Sequence, residues 1–157
     1  MKKFLLISLV SISAFSQTSN IFEPIDVFDL EYVSNPQISP NGDKVLYQRN
    51  FNDIMTDESF SNIWLIDYDG KNNIPITTGN FKDNSPKWSN QGDKFLFKSN
   101  REGKSQIFLF DLNNNSIQKL TNFQYSIEST QWSPDDNYIL FSSFIDSERD
   151  TLIKMPD

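Results

Sequence analysis

The chain has 157 residues, no cysteine, no histidine and a formal charge of −7. Those absences exclude disulfides, thiolate or imidazole metal sites, a cysteine nucleophile and any Ser-His-Asp arrangement built inside the chain. With 14 basic against 21 acidic residues and no basic stripe to neutralise phosphates, no nucleic-acid partner is expected.

In chain order, the first element is a leader. Lys2 and Lys3 precede a mostly apolar run from Phe4 to Phe15, and Ala14-Phe15-Ser16 places small residues at the cleavage-determining positions. The pattern predicts a signal peptide over residues 1–16, and hence a secreted or periplasmic protein. The run is shorter than the roughly twenty apolar residues that span a bilayer, and no cysteine is present to carry a lipid, so no membrane anchor is expected. Losing Lys2 and Lys3 leaves 12 basic residues and a charge of −9. Residues 17–34 form a lead-in segment.

From there the pattern repeats. Ile38-Ser39-Pro40-Asn41-Gly42-Asp43-Lys44-Val45-Leu46-Tyr47 returns as Trp88-Ser89-Asn90-Gln91-Gly92-Asp93-Lys94-Phe95-Leu96-Phe97. It returns again as Trp132-Ser133-Pro134-Asp135-Asp136-Asn137-Tyr138-Ile139-Leu140-Phe141, the starts lying 50 and then 44 residues apart. Ile63-Trp64-Leu65-Ile66-Asp67 returns as Ile107-Phe108-Leu109-Phe110-Asp111, and Ile76-Thr77 as Leu120-Thr121, both 44 residues on. A near-constant period of this size marks one supersecondary unit that is repeated and stacked. Its apolar segments are short, rich in Ile, Leu, Phe, Tyr and Trp, and separated by Gly, Asn, Asp, Ser and Pro, which predicts strands joined by turns. Four such strands make an antiparallel blade. The predicted fold class is therefore all-β, a partial β-propeller over residues 35–157. Two four-stranded blades fall at about 35–79 and 84–122, and part of a third at about 128–157.

The turns carry their own logic. In Ser39-Pro40-Asn41-Gly42, proline presets φ and glycine accepts a positive φ on re-entry to a strand. Asn90 replaces the proline in the second copy, and Asp136 replaces the glycine in the third, a residue that tolerates that conformation. The second hairpins turn at Asp69-Gly70 and at Asn113-Asn114-Asn115. The six extra residues of the first spacing lie between Tyr47 and Ile63. They predict an enlarged loop over 49–60, with Asp53, Asp57 and Glu58, read as a tolerated surface insertion.

Chemical motifs reduce to structure. Gly103-Lys104-Ser105 resembles the end of a phosphate loop, but Lys98 stands where the first glycine is needed, so the segment reads as a hairpin turn. Asp67-Tyr68-Asp69-Gly70 resembles the start of a calcium loop, yet Lys71 and Thr78 occupy ligand positions. No Gly-x-Ser-x-Gly nucleophile elbow occurs. Trp64, Trp88 and Trp132 read as packing residues, because Trp88 and Trp132 share a repeat position with Ile38 and suit a contact between blades. Asp67 and Asp111, each ending a third strand, are expected to accept hydrogen bonds in the turn that follows. No catalytic, cofactor or metal residue is assigned.

Ile25-Asp26-Val27-Phe28-Asp29-Leu30, followed by Asn35-Pro36-Gln37-Ile38 and the first repeat, resembles the opening of the prolyl oligopeptidase family, in its acylaminoacyl-peptidase and dipeptidyl-aminopeptidase branch. Ser99-Asn100-Arg101-Glu102-Gly103-Lys104-Ser105-Gln106-Ile107 is similar to the same branch. The Trp-Ser-Pro-Asp repeat is shared with TolB and other WD-type propellers, but the roughly twenty residues before the first repeat are too few for the α/β domain that precedes a TolB propeller. The resemblance implies a propeller that gates peptide access to a C-terminal α/β-hydrolase domain, the partner that holds the Ser, Asp and His of the family. None of those residues maps onto this chain, nor do the acidic residues with which some members hold a substrate amino terminus. Propellers close with about four to eight blades, so the expectation is an N-terminal fragment of a secreted serine peptidase, not catalytic by itself. The alternatives are a non-enzymatic TolB-like propeller that binds proteins or peptides, and a truncated product without function.

Overall fold

Short segments rich in Ile, Leu, Phe, Tyr and Trp, separated by turn residues, put the chain into ten strands, all within residues 21–145, which the computed structural model describes. The leader (1–16) and the end of the third blade, where Thr151 to Asp157 are expected to begin its next strand or a connecting loop, lie outside the described residues. A 3-10 helix, Pro24–Asp29, comes first, its proline supplying the fixed φ of a helix start. The first sheet holds β1 (Tyr32–Ile38), β2 (Lys44–Asp53), β3 (Glu58–Asp67) and β4 (Ile74–Pro75). The second holds β5 (Asn84–Trp88), β6 (Lys94–Ser99), β7 (Gln106–Asp111) and β8 (Ser116–Lys119). The third holds β9 (Ile127–Trp132) and β10 (Ile139–Ser143). Within each sheet every strand pairs antiparallel with the next, so the first two sheets are four-stranded meanders, one blade each, and the third is a two-stranded part of a blade among the described residues.

The middle blade explains the core. Along β6 the side chains alternate between faces. Phe95 and Phe97 join Leu46, Ile63, Leu65, Phe108 and Phe110 in the core between the first two blades. Leu96 points the other way, to Ile107 and Ile127 between the second and third. A strand covered on both faces must be apolar throughout, and Phe95-Leu96-Phe97 is. Leu140, which repeats Leu96, is 74% exposed where Leu96 is fully buried, because the described residues place no blade against the far face of β10.

The same bonds recur at equivalent positions. The Gly42, Gly92 and Asp136 amides close the three turns onto the Ser39, Ser89 and Ser133 carbonyls at 2.9, 3.1 and 3.1 Å. Asp136 takes φ +56° where the glycines take +78° and +74°, as the turn requires. The Thr77 and Thr121 hydroxyls accept from the Ile63 and Ile107 amides, both at 2.9 Å.

The loop expected over 49–60 is a correction. The register of β2 on β3 runs unbroken from Lys44–Asp67 to Asp53–Glu58, leaving only Ile54 to Asp57 as a turn. Phe51 and Phe60 meet across the strands at 5.9 Å. Pairing and this aromatic contact override the weak strand propensity of Asn50, Asn52 and Asp53, and the extra residues lengthen a hairpin.

Candidate functional site

The seams between blades are built first by tryptophan. The Trp88 indole N–H donates to the Gln37 carbonyl at 3.0 Å, and the Trp132 indole N–H donates to the Lys87 carbonyl at 3.1 Å. Gln37 and Lys87 are themselves equivalent, so each tryptophan clasps the preceding blade at the same point, the packing role expected of them. At the opposite end of the seams the Asp83 amide donates to the Ser61 carbonyl and the Ile127 amide to the Ser105 carbonyl, at 3.0 and 2.9 Å. Trp64 belongs to no clasp: it stacks on Tyr47 at 6.3 Å with Arg49 over its ring. Gln37, Lys87 and Gln131, one from each blade, border a hollow of about 330 Å³ together with the clasping tryptophans.

A second cavity, of about 440 Å³, opens between blades one and two. Two bulges shape it. Ser34 faces Gln48 but Gln37 faces Leu46, and Asn84 faces Lys98 but Lys87 faces Leu96, so each first strand carries one extra residue at the same place. The residues that absorb it, Asn35 and Ser85, sit at φ +50° and +54°, each just before a proline. Bulges re-aim side chains, and here Asn35, Ser85 and Asn84 line the cavity. Its floor is a relay of amides. Asn35 Nδ2 donates to Gln48 Oε1 at 2.9 Å, Gln48 Nε2 to Asn50 Oδ1 at 2.6 Å, and Asn50 Nδ2 to Ser34 Oγ at 2.9 Å. Gln48 and Asn50 are buried, whereas Lys82 at the rim is exposed.

Next to the rim lies a charged pair. Asp83 is fully buried, and its Oδ2 accepts from Arg101 Nη2 at 2.9 Å, while Oδ1 has no partner among the described residues. The Arg101 guanidinium lies over Phe81, Phe97 and Phe108 at 5.5, 5.5 and 4.9 Å, so aromatic faces supply much of its surroundings.

Gly103-Lys104-Ser105 connects β6 to β7, and Lys104 Nζ donates to the Gln124 carbonyl at 2.5 Å. Asp67 binds Lys44 Nζ at 2.7 Å and the Asn72 side-chain amide at 2.6 Å. The Lys44 contact and then the Asn72 bond hold its carboxyl below the ordinary aspartate value, and the Asp67 bond raises Lys44. Asp111 does accept from the following turn, at 2.9 Å from the Asn113 amide and 3.3 Å from the Asn114 amide. Asp67 instead spends its carboxylate on side chains. Asp57 and Glu58 border a hollow of about 150 Å³ with Val27 and Phe28. Asn35, Gln48, Asn50, Lys82 and Asn84 were not singled out in the sequence. Their signal was Asn35-Pro36 and Ser85-Pro86, prolines inside strands and 50 residues apart, which mark bulges.

With this geometry in place, the profile of the TolB beta propeller domain (PD40) matches residues 27–155. The chain belongs to that family. This TolB-type propeller is 30% identical over 116 residues to a Bacillus subtilis protein named uncharacterized peptidase YuxL, a match covering 73% of this chain and 18% of the relative. It is 26% identical over 145 residues to dipeptidyl-peptidase 5 of Porphyromonas gingivalis, covering 92% of this chain and 21% of the relative. A solved acylaminoacyl peptidase in complex with Z-Gly-Gly-Phe-chloromethyl ketone superposes with a TM-score of 0.67 at 21% identity, covering 83% of this chain and 20% of that one, a likeness of fold. The TolB-type chain thus spans about a fifth of the length of these relatives. The resemblance read from Ile25–Leu30 and the three repeats, to peptidases and to TolB-type propellers together, is borne out.

Proposed function

We propose that this chain is the non-catalytic propeller part of a secreted or periplasmic peptidase, and that it gates peptide access to an α/β-hydrolase domain carried elsewhere in the whole protein. The observation that carries the reading is that relatives named as peptidases match across most of this chain, which itself has neither histidine nor a nucleophile elbow. In such an arrangement the chain supplies walls and the partner domain supplies acyl transfer to serine. The leader pattern of Lys2, Lys3 and the apolar run supports an extracytoplasmic location.

Two measurements test it. The purified chain is expected to show no turnover of dipeptidyl or acyl-peptide p-nitroanilides, and hydrolysis above background would sink the non-catalytic reading. Reading the coding DNA past codon 157 is expected to reveal further repeats, then Gly-x-Ser-x-Gly, Asp and His. Repeats ending without a hydrolase domain would favour the second reading, a TolB-like propeller that binds proteins or peptides, which the family match also supports.

A further inference from the structure

We propose that the cavity between the first two blades binds a peptide segment that bears a carboxylate. Lys82 meets the charge, and the Asn35 and Asn84 side-chain amides meet the peptide groups. The proposal deepens the peptide-handling reading and rests on it, but it concerns binding alone and needs no hydrolase domain.

The lining selects the ligand chemistry. About 440 Å³ falls in the range of roughly 300–1,000 Å³ usual for small-ligand sites. Lys82 is the one charged residue on the lining, and no carboxylate faces it there. The other groups are amides and hydroxyls, with Phe60 as an apolar wall. A site with a single cation and many neutral hydrogen-bonding groups complements a single anion carried on an uncharged polar chain.

Donor and acceptor accounting narrows this further. A side-chain amide has two donor hydrogens and one acceptor oxygen. In the relay Asn35 spends one hydrogen on Gln48, and among the described residues its oxygen and second hydrogen are left for a ligand. Asn84 spends one hydrogen on the Lys82 carbonyl at 2.9 Å, its oxygen accepts from Ser85 Oγ at 3.0 Å, and its second hydrogen is left for a ligand, so Asn84 adds a donor while Asn35 offers the full pair. An asparagine that offers one donor and one acceptor side by side matches a peptide group, which offers the same pair in reverse. The Gln48–Asn50 bonds beneath fix that presentation, since each link polarises the next.

The repeat supplies the control. The residue equivalent to Gln48 in the second blade is Lys98, and the residue equivalent to Asn84 in the third is Glu128. There Lys98 Nζ reaches across the seam to the Glu128 carbonyl at 2.6 Å. The blade scaffold therefore accepts a lysine bridging this seam. The first seam has an open, amide-lined cavity in its place. Asn35 and Ser85 hold positive φ at the rim, a conformation non-glycine residues adopt at a cost and one that gathers at binding sites.

The test uses the 15N-labelled chain and three probes: acetyl-trialanine as the free acid, the same peptide as its C-terminal amide, and acetyl-Ala-Asp-Ala amide. Saturable shifts are expected at the side-chain amides of Asn35, Gln48 and Asn84, with the free acid binding about three- to fivefold tighter than the amide, the range of an exposed ion pair. Lys82→Met is expected to erase that difference. Lys82 is exposed and its backbone amide is held by Asn100 Oδ1 at 2.8 Å, so the variant keeps the fold, checked by an unchanged spectrum elsewhere. Asn84→Ala, which removes the peptide-pairing amide, is expected to weaken all three probes. If the aspartyl peptide matches the free acid, a carboxylate from either a side chain or a terminus is recognised; if it matches the amide, only the chain terminus is. Equal binding of free acid and amide, or shifts of a folded chain confined to other surfaces, overturns the proposal. Neither result touches the gating role, which turnover assays on the hydrolase-bearing protein report separately.

Discussion

Replacing Asp136 by glycine decides whether this residue is a tolerated stand-in or a clasp. Its Oδ1 accepts from the Asn90 amide at 2.9 Å and from Asn90 Nδ2 at 2.6 Å, and its Oδ2 accepts from the Gln91 amide at 3.0 Å. All three donors belong to the preceding blade. Asp136 is half-buried, so each bond is worth about 0.5–1.5 kcal/mol, giving roughly 1.5–4.5 kcal/mol lost in Asp136→Gly. Against this, glycine relieves a backbone at φ +56° by about 1 kcal/mol. The net expectation is a destabilisation of about 2 kcal/mol. If the side chain merely occupied a glycine position, the same change would stabilise by about 1 kcal/mol, so the sign settles the matter. With a denaturant slope of about 2 kcal/mol/M, urea unfolding followed by tryptophan fluorescence should show a midpoint lowered by about 1 M. An unchanged or raised midpoint refutes the clasp. The pH dependence has a definite sign as well. Burial raises the Asp136 carboxyl, but the Asn90 and Gln91 amides and the Asn90 side chain outweigh it and hold the group below its ordinary value of 3.8. A depressed folded value means the clasp is fully present above 3.8 and is lost as pH falls below it. Wild type and Asp136→Gly should therefore converge in stability in acid.

Trp132→Phe keeps an aromatic ring but loses the bond to Lys87, and should cost about 1 kcal/mol or slightly more in thermal unfolding, whereas no loss would reduce the clasp to packing. Arg101→Met strands the buried Asp83 carboxylate and should cost about 3–5 kcal/mol in urea unfolding, with Asp83→Asn added in the same chain recovering part of it. Gly92→Asp alone should destabilise, because a Cβ there would lie 3.1 Å from Pro40 Cδ; Pro40→Asn added to it rebuilds the third-blade pairing, and a coupling of about 1 kcal/mol or more is expected in the double-mutant cycle, additivity refuting it. Asp135, held down to about 2 by the Ser133 hydroxyl first and then by Asn137, should carry a turn whose stability persists above pH 3.8 and fades toward pH 2, visible as an acid shift in Tm that Asp135→Asn removes.

Legibility from the sequence followed the range of the interaction. Segments with strong strand propensity and glycine or asparagine turns announced the blades, because their signals are local: Phe95-Leu96-Phe97 and Ser39-Pro40-Asn41-Gly42 can each be read within ten residues. The clasping tryptophans were legible through the repeat, since Trp88, Trp132 and Ile38 share one position. The lengthened hairpin was misread as a loop because Asn50, Asn52 and Asp53 acquire strand character only by pairing with Glu58 to Ser61. The amide cavity stayed hidden for a related reason. Asn35, Gln48 and Asn84 come from three strands, and the bulges that align them shift the register by one residue. The Asp83–Arg101 pair spans 18 residues with no spacing rule to connect it.

The seams also explain why the blades stack in one order. A blade that merely buried leucine and phenylalanine against its neighbour would fit either partner, since apolar contact is non-directional. The turns remove that freedom. Pro40 has no amide hydrogen to give, and its ring crowds the space over Gly92, where a Cβ would lie 3.1 Å from Pro40 Cδ. Asn90, at the equivalent corner of the next blade, has both a backbone and a side-chain donor, and it faces Asp136, the residue able to accept them. Exchanging the two corners would set a proline against an unsatisfied carboxylate at one seam and leave the asparagine donors facing a glycine at the other. Each bond forfeited costs about 0.5–1.5 kcal/mol, so the mismatch is penalised while the apolar core is indifferent. Order along the propeller is therefore written in small polar differences at one turn, and the repeated core supplies the adhesion.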